Sequence, residues 1–449
     1  MAPLIQRCKA WLQKLLPTKI LTWYHRVLVK FGAWRYHYPS NQLVVIGVTG
    51  TKGKSTTCNA VWHMLTAAGY TVGMATTANF RIGDKEWLND TKMTMLGRMQ
   101  LQKLLSDMVQ TNCQFAIVET SSEGIKQSRH LGISYDAVVF TNLSPEHIDA
   151  HGSFENYKQA KLDLFRYASN LPVKLWHDQP VHKVSVINGD DEAAADFIAA
   201  AQLETSYIWS QHGEQQLLAN LRVSNVTENA TGLGFVLEGY QFTSPLRGAW
   251  NVENIVPAIA LGLWQGMSLP QCVEAVKTFG TVPGRMELIE AGQPFTVVVD
   301  YAYEPKSLGL LYNYWRRNIG AQNKIITLIS STGGGRDISR RAGNGKVAGE
   351  LCDFVIVADE DPYDDDPMII AQAVLGGVQA AGKIYKQNCW LILDRKRAIE
   401  AACTLAKPGD VVILPCKGTD QKICRAHGKK EPWDDRTVAK EVLAGMLTK

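Results

Sequence analysis

The sequence predicts an α/β protein with two parallel-sheet domains in succession. In the first part of the chain, apolar β-rich segments (LVVIGVT, FAIVETSS and AVVFTNL) alternate with stretches of helical periodicity. After a turn at 282–284, a second series follows with FTVVVDYA, KIITLIS, FVIVADE and DVVILPCKG. Such alternation is typical of mostly parallel sheets with crossover helices, and the second series predicts a separate Rossmann-like domain. With 449 residues and 46% hydrophobic content, the chain has enough apolar material for packed cores.

Residues 183–245 have a different pattern. Their apolar segments are short and alternate with turns such as NGDD and NATGLG. This pattern predicts a more antiparallel edge of the first domain. We find no internal repeat and no low-complexity linker in the sequence.

The most specific motif is the glycine-rich stretch LVVIGVTGTKGKSTT at 43–57, which joins an apolar strand to a helical stretch. Backbone N–H groups from Gly50 to Lys54 can surround phosphate oxygens, and the Lys54 ammonium adds a point charge. The Ser55 hydroxyl can ligate Mg2+. The motif departs from the general form G-x-x-x-x-G-K-[ST], because Val48 stands at the first glycine position and Gly50 lies inside the loop. The stretch predicts a nucleoside triphosphate site.

Polar residues follow two further strands of the first domain. Glu119 ends the strand FAIVE, while His147 and Asp149 follow the strand AVVF. Open α/β sheets bind ligands beyond the carboxyl ends of their strands, so these groups can converge near a Mg2+ held by Ser55. Taken singly, each has the alternative of being solvated or satisfied by local hydrogen bonds.

The nine cysteines and the hydrophobic pattern bear on the compartment. The cysteines include no C-x-x-C pair, and the first residues lack the pattern of a signal peptide. No apolar run reaches the roughly 18 residues that a membrane span requires. We therefore expect a reducing cytoplasm and no zinc site.

Residues 1–41 form a basic segment rich in apolar side chains. No Asp or Glu occurs before Asp84, although the net charge of the whole chain is only +4. Such a segment can lie on an anionic membrane surface, or it can form two short helices, broken near Pro17, that pack on the protein. The sequence leaves both open. We expect no nucleic acid partner, because the basic residues stop at the glycine-rich loop. The basic residues of the segment are Arg7, Lys9, Lys14, Lys19, Arg26, Lys30 and Arg35.

Seven ordered motifs resemble those of the Mur ligase family, in particular the MurE-type tripeptide synthetases. They are GTKGKST, IVETSSEG, FTNLSPEHIDAHGSFENYKQAKLDLF, NVENIVPAIA, VPGRMELI, VDYAYEPKSL and WDDR. The resemblance extends over about 42–449. It implies a P-loop central domain at 42–284 that binds ATP and a Rossmann-like C-terminal domain at 285–449 that binds the amino acid, after the basic segment 1–41.

The resemblance also implies an activity. Mur ligases phosphorylate a substrate carboxylate with ATP and Mg2+, and an amine then attacks the acyl phosphate to form an amide. The lysine matched by Lys161 is carbamylated by CO2 in the family, which turns a cation into an anion able to bind a second Mg2+. An ordinary solvated helix lysine, as expected for Lys158, is the alternative.

By the same resemblance, the site residues fall into four groups. Catalytic roles are expected for Lys54, Glu119, His147, Lys161 and Arg285. Cofactor contacts are expected for Gly50, Thr51, Lys52, Gly53, Lys54, Ser55, Thr56, Asn251, Asn254, Arg285 and Asp300. Metal ligands are expected to be Ser55, Glu119, His147 and Lys161. Substrate contacts are expected for Thr76, Thr77, Ser121, Arg129, Asp361, Tyr363, Asp364 and Asp420.

The amino-acid pocket departs from the family pattern. Where the family has D-N-P-R, this chain has E-D-P-Y at 360–363, followed by three aspartates at 364–366. The arginine that suits the second carboxylate of diaminopimelate is absent from this motif, and an acidic cluster favours an ammonium group. We expect lysine or ornithine as the free amino acid, with a solvated acidic turn as the alternative. Two further motifs differ: D-Y-A-H reads D-Y-A-Y at 300–303, and G-K-G-H-E reads C-K-G-T-D at 416–420.

The segment before the glycine-rich loop is too short for the UDP-binding domain of MurE-type enzymes. The acceptor is therefore expected to be a peptidoglycan precursor held with fewer contacts to UDP, or a lipid-linked or other carboxylate. The expected location is the cytoplasm, with peripheral contact at the inner face of the membrane as an option. Two other classes are a nucleotide-binding regulator, which needs no second metal site, and a small-molecule kinase, which leaves the last domain unexplained.

Overall fold

A computed structural model describes residues 18–145, 151–176, 178–212, 219–335 and 338–447. The chain divides into two compact units, the first ending at Gly280 and the second beginning at Thr281. Each unit contains its own large sheet, flanked by helices. The α/β fold expected from the sequence is thus confirmed.

The helices of the first unit are α1 (Thr18–Arg35), α2 (Lys54–Ala67), α3 (Arg98–Gln110), α4 (Ser122–Lys126), α5 (Phe154–Ser169), α6 (Ala194–Ala200), α7 (Val252–Trp264) and α8 (Leu269–Thr278). Its strands are β1 (Val44–Thr49), β2 (Val72–Ala75), β3 (Asn79–Ile82), β4 (Lys85–Leu88), β5 (Phe115–Glu119), β6 (Ala137–Phe140), β7 (Leu175–Trp176), β8 (Gln179–Pro180), β9 (Val184–Asn188), β10 (Thr205–Ser210), β11 (Leu221–Asn229), β12 (Gly232–Leu237) and β13 (Tyr240–Ser244). Short 3-10 turns cover Pro39–Gln42 and Ala249–Asn251.

The main sheet of the first unit has the order β13-β12-β11-β10-β9-β6-β1-β5-β2-β3-β4. Its centre is parallel, because β1 pairs in parallel with both β5 and β6. The antiparallel edge contains fewer strands than the sequence pattern of 183–245 predicts. The pairs β9 with β10 and β10 with β11 are parallel, and antiparallel pairing begins only between β11 and β12. Helix α6 connects β9 to β10, which permits the parallel crossover.

Strand β1 is the centre of the site-bearing sheet. All six of its residues are buried, as expected for a Val- and Ile-rich central strand covered on both faces. In the parallel register, Val48 lies opposite Glu119 of β5, and Thr49 lies opposite Phe140 of β6. The loops that follow β1, β5 and β6 therefore leave the sheet at one edge.

The second unit contains helices α9 (Pro305–Asn318), α10 (Ser339–Leu351), α11 (Pro367–Ala380), α12 (Arg395–Leu405) and α13 (Asp435–Leu447). Its strands are β14 (Glu287–Leu288), β15 (Thr296–Val299), β16 (Ile325–Ile329), β17 (Phe354–Val357), β18 (Cys389–Leu391), β19 (Val411–Leu414), β20 (Lys422–Cys424) and β21 (Lys430–Pro432), with a 3-10 turn at Ala426–Gly428. The main sheet has the order β14-β15-β19-β16-β17-β18 and is parallel except for β14.

The N-terminal segment contributes α1, which packs against α3. A Cβ atom on Gly32 of α1 would stand 3.0 Å from Met99 Sδ of α3, so the two helices approach closely. None of the helices within the described ranges combines the length and the apolar character needed to span a membrane. The first 17 residues, including Arg7, Lys9 and Lys14, lie outside the described residues.

Candidate active site

The glycine-rich loop lies between β1 and α2, and two glycines are required by its shape. Gly53 has φ +80° and precedes the first turn of α2; a Cβ there would overlap Asn254 Oδ1. A Cβ on Gly50 would overlap Thr141 Oγ1. Residues with side chains are excluded at both positions. The backbone can therefore approach a phosphate at the N-terminus of α2, where the helix dipole favours an anion.

The loop is fixed by the segment after β6. The backbone N–H of Thr51 donates to Asn142 O at 2.8 Å, and the N–H of Lys52 donates to Asn142 Oδ1 at 2.8 Å. Lys54 Nζ donates to Thr51 O at 2.9 Å, which places the ammonium beside the loop. Thr56 is buried in the first turn of α2. Asn142 fixes the loop, a role that its position in the stretch FTNLSPEH does not indicate.

Glu119 meets the loop at the end of β5. Its Oε2 accepts hydrogen bonds from Ser55 Oγ at 2.7 Å and from the backbone N–H of Thr77 at 2.7 Å. Its Oε1 accepts from Thr77 Oγ1 at 3.0 Å. The carboxylate is 2% exposed, and within the described residues all of its hydrogen-bond donors are neutral. Thr76, which precedes Thr77, directs its hydroxyl to Asn79 O at 2.8 Å.

Lys161 reaches the same loop from α5. The residue is 1% exposed, and its Nζ donates to Gly50 O at 2.7 Å. The ammonium also lies 4.4 Å from the ring centroid of Tyr157, one turn earlier on α5. Tyr157 shares a hydrogen bond of 3.0 Å with Thr51 Oγ1, so it too contacts the loop. Lys158 instead forms ion pairs with Glu155 and Asp196 at the surface. Lys161 is therefore not the ordinary solvated lysine that was its alternative, whereas Lys158 is at the surface as expected.

Asn254 and Asn251 lie at the start of α7 and also belong to this cluster. Asn254 Oδ1 accepts from Thr57 Oγ1 at 3.3 Å, and its Nδ2 donates to Asn251 Oδ1 at 2.8 Å. Asn251 Nδ2 donates to Arg247 O at 2.7 Å. Both asparagines are buried. Their position against α2 is observed, and their contact with adenine stays a prediction.

The two remaining predicted residues of the first unit lie near α4. Ser121 Oγ accepts from the backbone N–H of Gly124 at 3.2 Å and so caps α4. Arg129 donates to Met95 O and, at 2.7 Å, to Gln127 Oε1. His147 and Asp149 lie outside the described residues. The nearby His151 shares a hydrogen bond of 3.1 Å with Ser122 Oγ, and burial lowers the pKa of its imidazole.

In the second unit, Arg285 and Asp300 are neighbours. The Arg285 guanidinium lies 4.5 Å from the ring centroid of Tyr301, and its Nη1 donates to Gly284 O at 3.0 Å. Asp300 accepts from the backbone N–H groups of Met286 and Ala302 at 2.8 and 2.7 Å. Desolvation raises the pKa of the Asp300 carboxyl, and the charge of Arg285 opposes that rise.

The acidic segment after β17 has local partners. Asp361 Oδ1 lies 3.1 Å from Lys417 Nζ and accepts from Cys424 N at 2.8 Å. Asp420 Oδ2 is 3.6 Å from the same ammonium. Asp364 is exposed and accepts from His427 N at 2.7 Å. Tyr363 has φ +52° and donates its N–H to Cys424 O at 3.0 Å.

The other two aspartates of this segment are also engaged. Asp365 pairs with Arg341 at 3.0 Å, and Asp366 caps α11 through Met368 N at 2.8 Å. The sequence did not indicate the cations Lys417 and Arg341. Their pairing joins residues far apart in the chain.

The fold and the site define a class: a nucleotide-binding unit with a glycine-rich phosphate loop, followed by a Rossmann-like unit. Residues 48–262 match the Mur ligase middle domain, and residues 284–418 match the Mur ligase, glutamate ligase domain. The chain belongs to the Mur ligase family, whose members are ATP-dependent ligases that form amide bonds.

Relatives and solved structures agree with this assignment. A UDP-N-acetylmuramyl-tripeptide synthetase of Roseiflexus sp. is 34% identical over 93% of this chain and 82% of the relative. A UDP-N-acetylmuramoyl-L-alanyl-D-glutamate--2,6-diaminopimelate ligase of Bacillus cereus is 32% identical over 94% of this chain and 82% of its own length. A solved structure of a ligase with this second name has a TM-score of 0.62 at 26% identity, covering 94% and 83% of the two chains. A folylpolyglutamate synthase of Mycobacterium tuberculosis shares the fold, with a TM-score of 0.65 at 15% identity and coverage of 94% and 95%.

Proposed function

We propose that this protein joins a free amino acid to a carboxylate of a peptidoglycan precursor such as a UDP-N-acetylmuramoyl (UDP-MurNAc) dipeptide, with ATP and Mg2+ as cofactors. The names of the MurE-type relatives support this acceptor class. The observation that carries the proposal is the meeting of Ser55, Glu119 and Lys161 at the glycine-rich loop. Nucleotide binding alone requires the loop but not a buried carboxylate and a buried lysine beside it.

The proposed reaction has two steps. An oxygen of the acceptor carboxylate attacks the γ-phosphorus of ATP, the bond to the β-phosphate oxygen breaks, and ADP leaves. The amine of the amino acid then attacks the acyl carbon and loses a proton, and the tetrahedral intermediate expels phosphate. Lys54 and the loop N–H groups stabilise charge that moves to the β-phosphate. Arg285 is proposed to neutralise phosphate charge, and Asp300 to contact the ribose region.

The residues at the loop fit a magnesium ion. The Ser55 hydroxyl and the Glu119 carboxylate are oxygen donors of the type that Mg2+ prefers, and they lie 2.7 Å apart. Within the described ranges, no group of three or more His, Cys, Asp or Glu is placed to hold a metal ion. Phosphate oxygens and water would therefore supply much of the coordination, as is usual for Mg2+. His147 is proposed as a further ligand.

We further propose that Lys161 is carbamylated by CO2. Carbamylation joins the amine nitrogen to the carbon of CO2 with loss of a proton, and the product carries negative charge at the loop. The position of Lys161 supports the proposal, because its buried amine lies 2.7 Å from Gly50 O, beside the loop where a second Mg2+ is expected. With 13C-labelled bicarbonate, we expect a carbamate carbon signal in the NMR spectrum that is lost in Lys161→Arg and kept in Lys158→Arg. A signal that persists in Lys161→Arg would contradict the assignment.

The proposed amino acid is lysine or ornithine. Tyr363 stands at the position of the family arginine. Asp361 and Asp420 both lie near Lys417, whereas Asp364 is exposed and accepts from the backbone N–H of His427. A side-chain ammonium fits such a region better than the second carboxylate of diaminopimelate.

One assay tests the proposed function. It measures phosphate release from ATP that depends on both UDP-MurNAc-L-Ala-D-Glu and an amino acid, with Lys54→Ala as the blank. We expect release with lysine or ornithine. Release only with diaminopimelate would disprove the amino-acid assignment. The absence of release above the blank with all three would reject this acceptor and favour a lipid-linked or other carboxylate, or a nucleotide-binding regulator.

We also propose a cytoplasmic location with peripheral contact at the inner face of the membrane, through residues 1–41. On α1, apolar side chains recur on the face opposite the one that packs on the protein, and Trp34 is 59% exposed. The other exposed apolar residues of this face are Ile20, Tyr24, Val27 and Phe31. The exposed cations Arg26, Lys30 and Arg35 accompany them. A helix with this composition suits the surface of an anionic membrane.

Co-sedimentation with lipid vesicles tests the membrane contact. We expect binding to vesicles containing phosphatidylglycerol, weaker binding to phosphatidylcholine alone, and loss of binding in the double variant Phe31→Ser/Trp34→Ser. The matched control is Val173→Ser, which changes an exposed apolar residue outside α1. Equal sedimentation of the double variant and the wild type would contradict the proposal.

A further inference from the structure

Asn59 of α2 and Asn79 of β3 hydrogen-bond to each other in both directions. Asn59 Nδ2 donates to Asn79 Oδ1 at 3.1 Å, and Asn79 Nδ2 donates to Asn59 Oδ1 at 3.1 Å. Asn59 is 4% exposed and Asn79 is fully buried. Each amide is both donor and acceptor to the other, so the two side chains hold one another in a single orientation. We name Asn59 and Asn79 the asparagine pair.

The neighbours of the asparagine pair determine which way its amides point. The Glu86 carboxylate can only accept, and its Oε1 receives a hydrogen bond from Asn79 Nδ2 at 2.6 Å. On the other side, the Thr76 hydroxyl accepts from the backbone N–H groups of Ala78 and Asn79. It therefore directs its own proton to the oxygens of Asn79, with Oδ1 at 2.9 Å. Asn79 must present its oxygen to Thr76 and its nitrogen to Glu86.

Asn59 extends this arrangement into α2. Its Nδ2 also donates to Ser55 O at 2.8 Å, one turn earlier in the same helix. All four amide N–H groups of the asparagine pair are thus engaged, two within the pair, one at Ser55 O and one at Glu86. Rotating either amide would leave buried donors unsatisfied, which is costly.

The β3–β4 hairpin contacts α2 a second time, through Arg81. Its guanidinium lies 3.8 Å from the ring centroid of Trp62, one turn after Asn59 in α2. Its Nη2 pairs with Glu86 Oε2 at 2.6 Å. Glu86 therefore joins the two contacts, because one of its oxygens accepts from Asn79 and the other from Arg81. The hairpin and α2 are held together at both points.

The asparagine pair connects the two elements that bring oxygen donors together at the glycine-rich loop. Ser55, whose carbonyl accepts from Asn59, donates its hydroxyl to Glu119 Oε2 at 2.7 Å. Thr77, which follows Thr76 in the turn before β3, donates to Glu119 through its N–H at 2.7 Å and its hydroxyl at 3.0 Å. A shift of α2 against the hairpin would change the distance between Ser55 and Glu119. Mg2+ responds to such a change, because it requires nearly ideal octahedral geometry.

We propose that the asparagine pair positions Ser55 and Glu119 and thereby sets the affinity of the nucleotide site for Mg2+. This inference rests on the proposed function, because it places Mg2+ with a nucleotide at the glycine-rich loop. The role is indirect. Asn59 acts through Ser55, and Asn79 acts through the turn that carries Thr77.

The test measures how much Mg2+ increases the affinity for a nucleotide, without turnover. A fluorescent, non-hydrolysable ATP analogue is titrated into the wild type and Asn79→Ala, once with excess Mg2+ and once with EDTA. We expect Mg2+ to tighten binding to the wild type, and we expect this gain to be about tenfold smaller in Asn79→Ala, as for the loss of a hydrogen bond. The affinity in EDTA should stay unchanged, because Lys54 and the loop N–H groups are intact.

A double-mutant cycle tests whether the two asparagines act as one unit. Asn59→Ala should reduce the Mg2+ gain as Asn79→Ala does, and the double variant should lose no more than the larger single loss. Additive losses would reject the pair as a unit. Glu86→Gln keeps an acceptor but removes the charge that orients Asn79, so a smaller loss is expected. Asp84→Asn, which removes an exposed carboxylate at the tip of the same hairpin, should behave like the wild type.

Ser185→Ala controls for a general loss of stability. Ser185 is fully buried in β9, and its hydroxyl shares a hydrogen bond of 2.7 Å with Ser206 Oγ. The variant therefore removes a buried side-chain hydrogen bond that does not involve the glycine-rich loop. Thermal unfolding confirms that each variant is folded. A Mg2+ gain reduced as much in Ser185→Ala as in Asn79→Ala would trace the effect to stability and overturn the inference.

Failure of this inference is distinct from failure of the proposed function. An unchanged Mg2+ gain in folded Asn59→Ala and Asn79→Ala would overturn the inference and leave the ligase activity untouched. A reduced gain in both variants of a protein that forms no amide would support the inference and reject only the ligase activity. A wild type without any Mg2+ gain would reject the magnesium site at the loop and the inference with it.

Discussion

Glu119 in the first unit and Asp361 in the second unit are buried carboxylates that follow parallel strands, yet they are held in different ways. Glu119 accepts from Ser55 Oγ and Thr77 N, both at 2.7 Å, and has no cation as a donor within the described residues. Asp361 lies 3.1 Å from Lys417, whose side chain is fully buried. The neutral donors around Glu119 orient its carboxylate but leave the negative charge uncompensated. The Lys417 ammonium beside Asp361 compensates the negative charge of that carboxylate. The first arrangement suits an incoming cation, and the second stabilises the fold.

The strongest test of this contrast is Glu119→Gln. The substitution removes the charge but keeps the size, so we expect amide formation to fall by about a thousandfold, equivalent to roughly 4 kcal/mol of transition-state stabilisation. Stability should change little, because no described cation depends on Glu119. Phosphate release under single-turnover conditions and urea unfolding measure the two effects. Glu155→Gln, an exposed change on α5, is the control. Near-normal turnover in Glu119→Gln would show that its carboxylate has no part in the reaction.

Asp361→Asn should show the opposite behaviour. Asparagine can still accept from Cys424 N, but Lys417 loses its closest counter-charge in a buried position. We expect the free energy of unfolding to fall by about 3 kcal/mol, near the lower end of the range for a broken buried pair. The lower end applies because Asp420 remains 3.6 Å from Lys417.

The control for this change removes both charges. In Asp361→Leu/Lys417→Met, the buried ammonium is removed together with its closest counter-charge, and we expect most of the lost stability to return in urea unfolding. A double variant less stable than Asp361→Asn would show that the pair contributes through its geometry and not through mutual compensation of charge.

The contrast also shows what the sequence could predict. The glycine-rich loop could be predicted as a phosphate-binding site because its glycines and its Lys-Ser pair are close together in the chain and each has a known physical role. The placement of Glu119 and Lys161 at that loop followed from strand order and from the family resemblance. Their chemical roles stay predictions.

Contacts between distant residues could not be predicted in this way. Asp361 and Lys417 are joined only by the packing of β20 and the loop after β19, and no periodicity indicates that pairing. The three consecutive aspartates at 364–366 predicted an acidic cluster available to a ligand. In the fold, each of them has a hydrogen-bond or ion-pair partner.

His130 is a third buried titratable group, and it differs from both carboxylates by remaining uncharged. It packs edge-on against Tyr167 at 5.1 Å between ring centroids, and its Nδ1 has no hydrogen-bond partner in the part of the chain that the structure describes. Burial, aided by the charge of Arg26, lowers its pKa to about 4. Because this value is below the unfolded pKa of about 6.5, the unfolded chain binds a proton first as the pH falls.

The contribution of His130 to stability is therefore complete above pH 6.5 and is lost between about pH 6.5 and 4. The expected loss is about 1.4 kcal/mol per pH unit in that window. His130→Phe keeps the ring contact with Tyr167 but cannot bind a proton, so its unfolding free energy should fall less steeply with decreasing pH. Urea unfolding at pH 7.0, 6.0 and 5.0 measures the difference in slope. Parallel slopes for the two proteins would mean that His130 binds a proton as readily in the fold as in the unfolded chain, and that Arg26 and the surrounding burial do not lower its pKa.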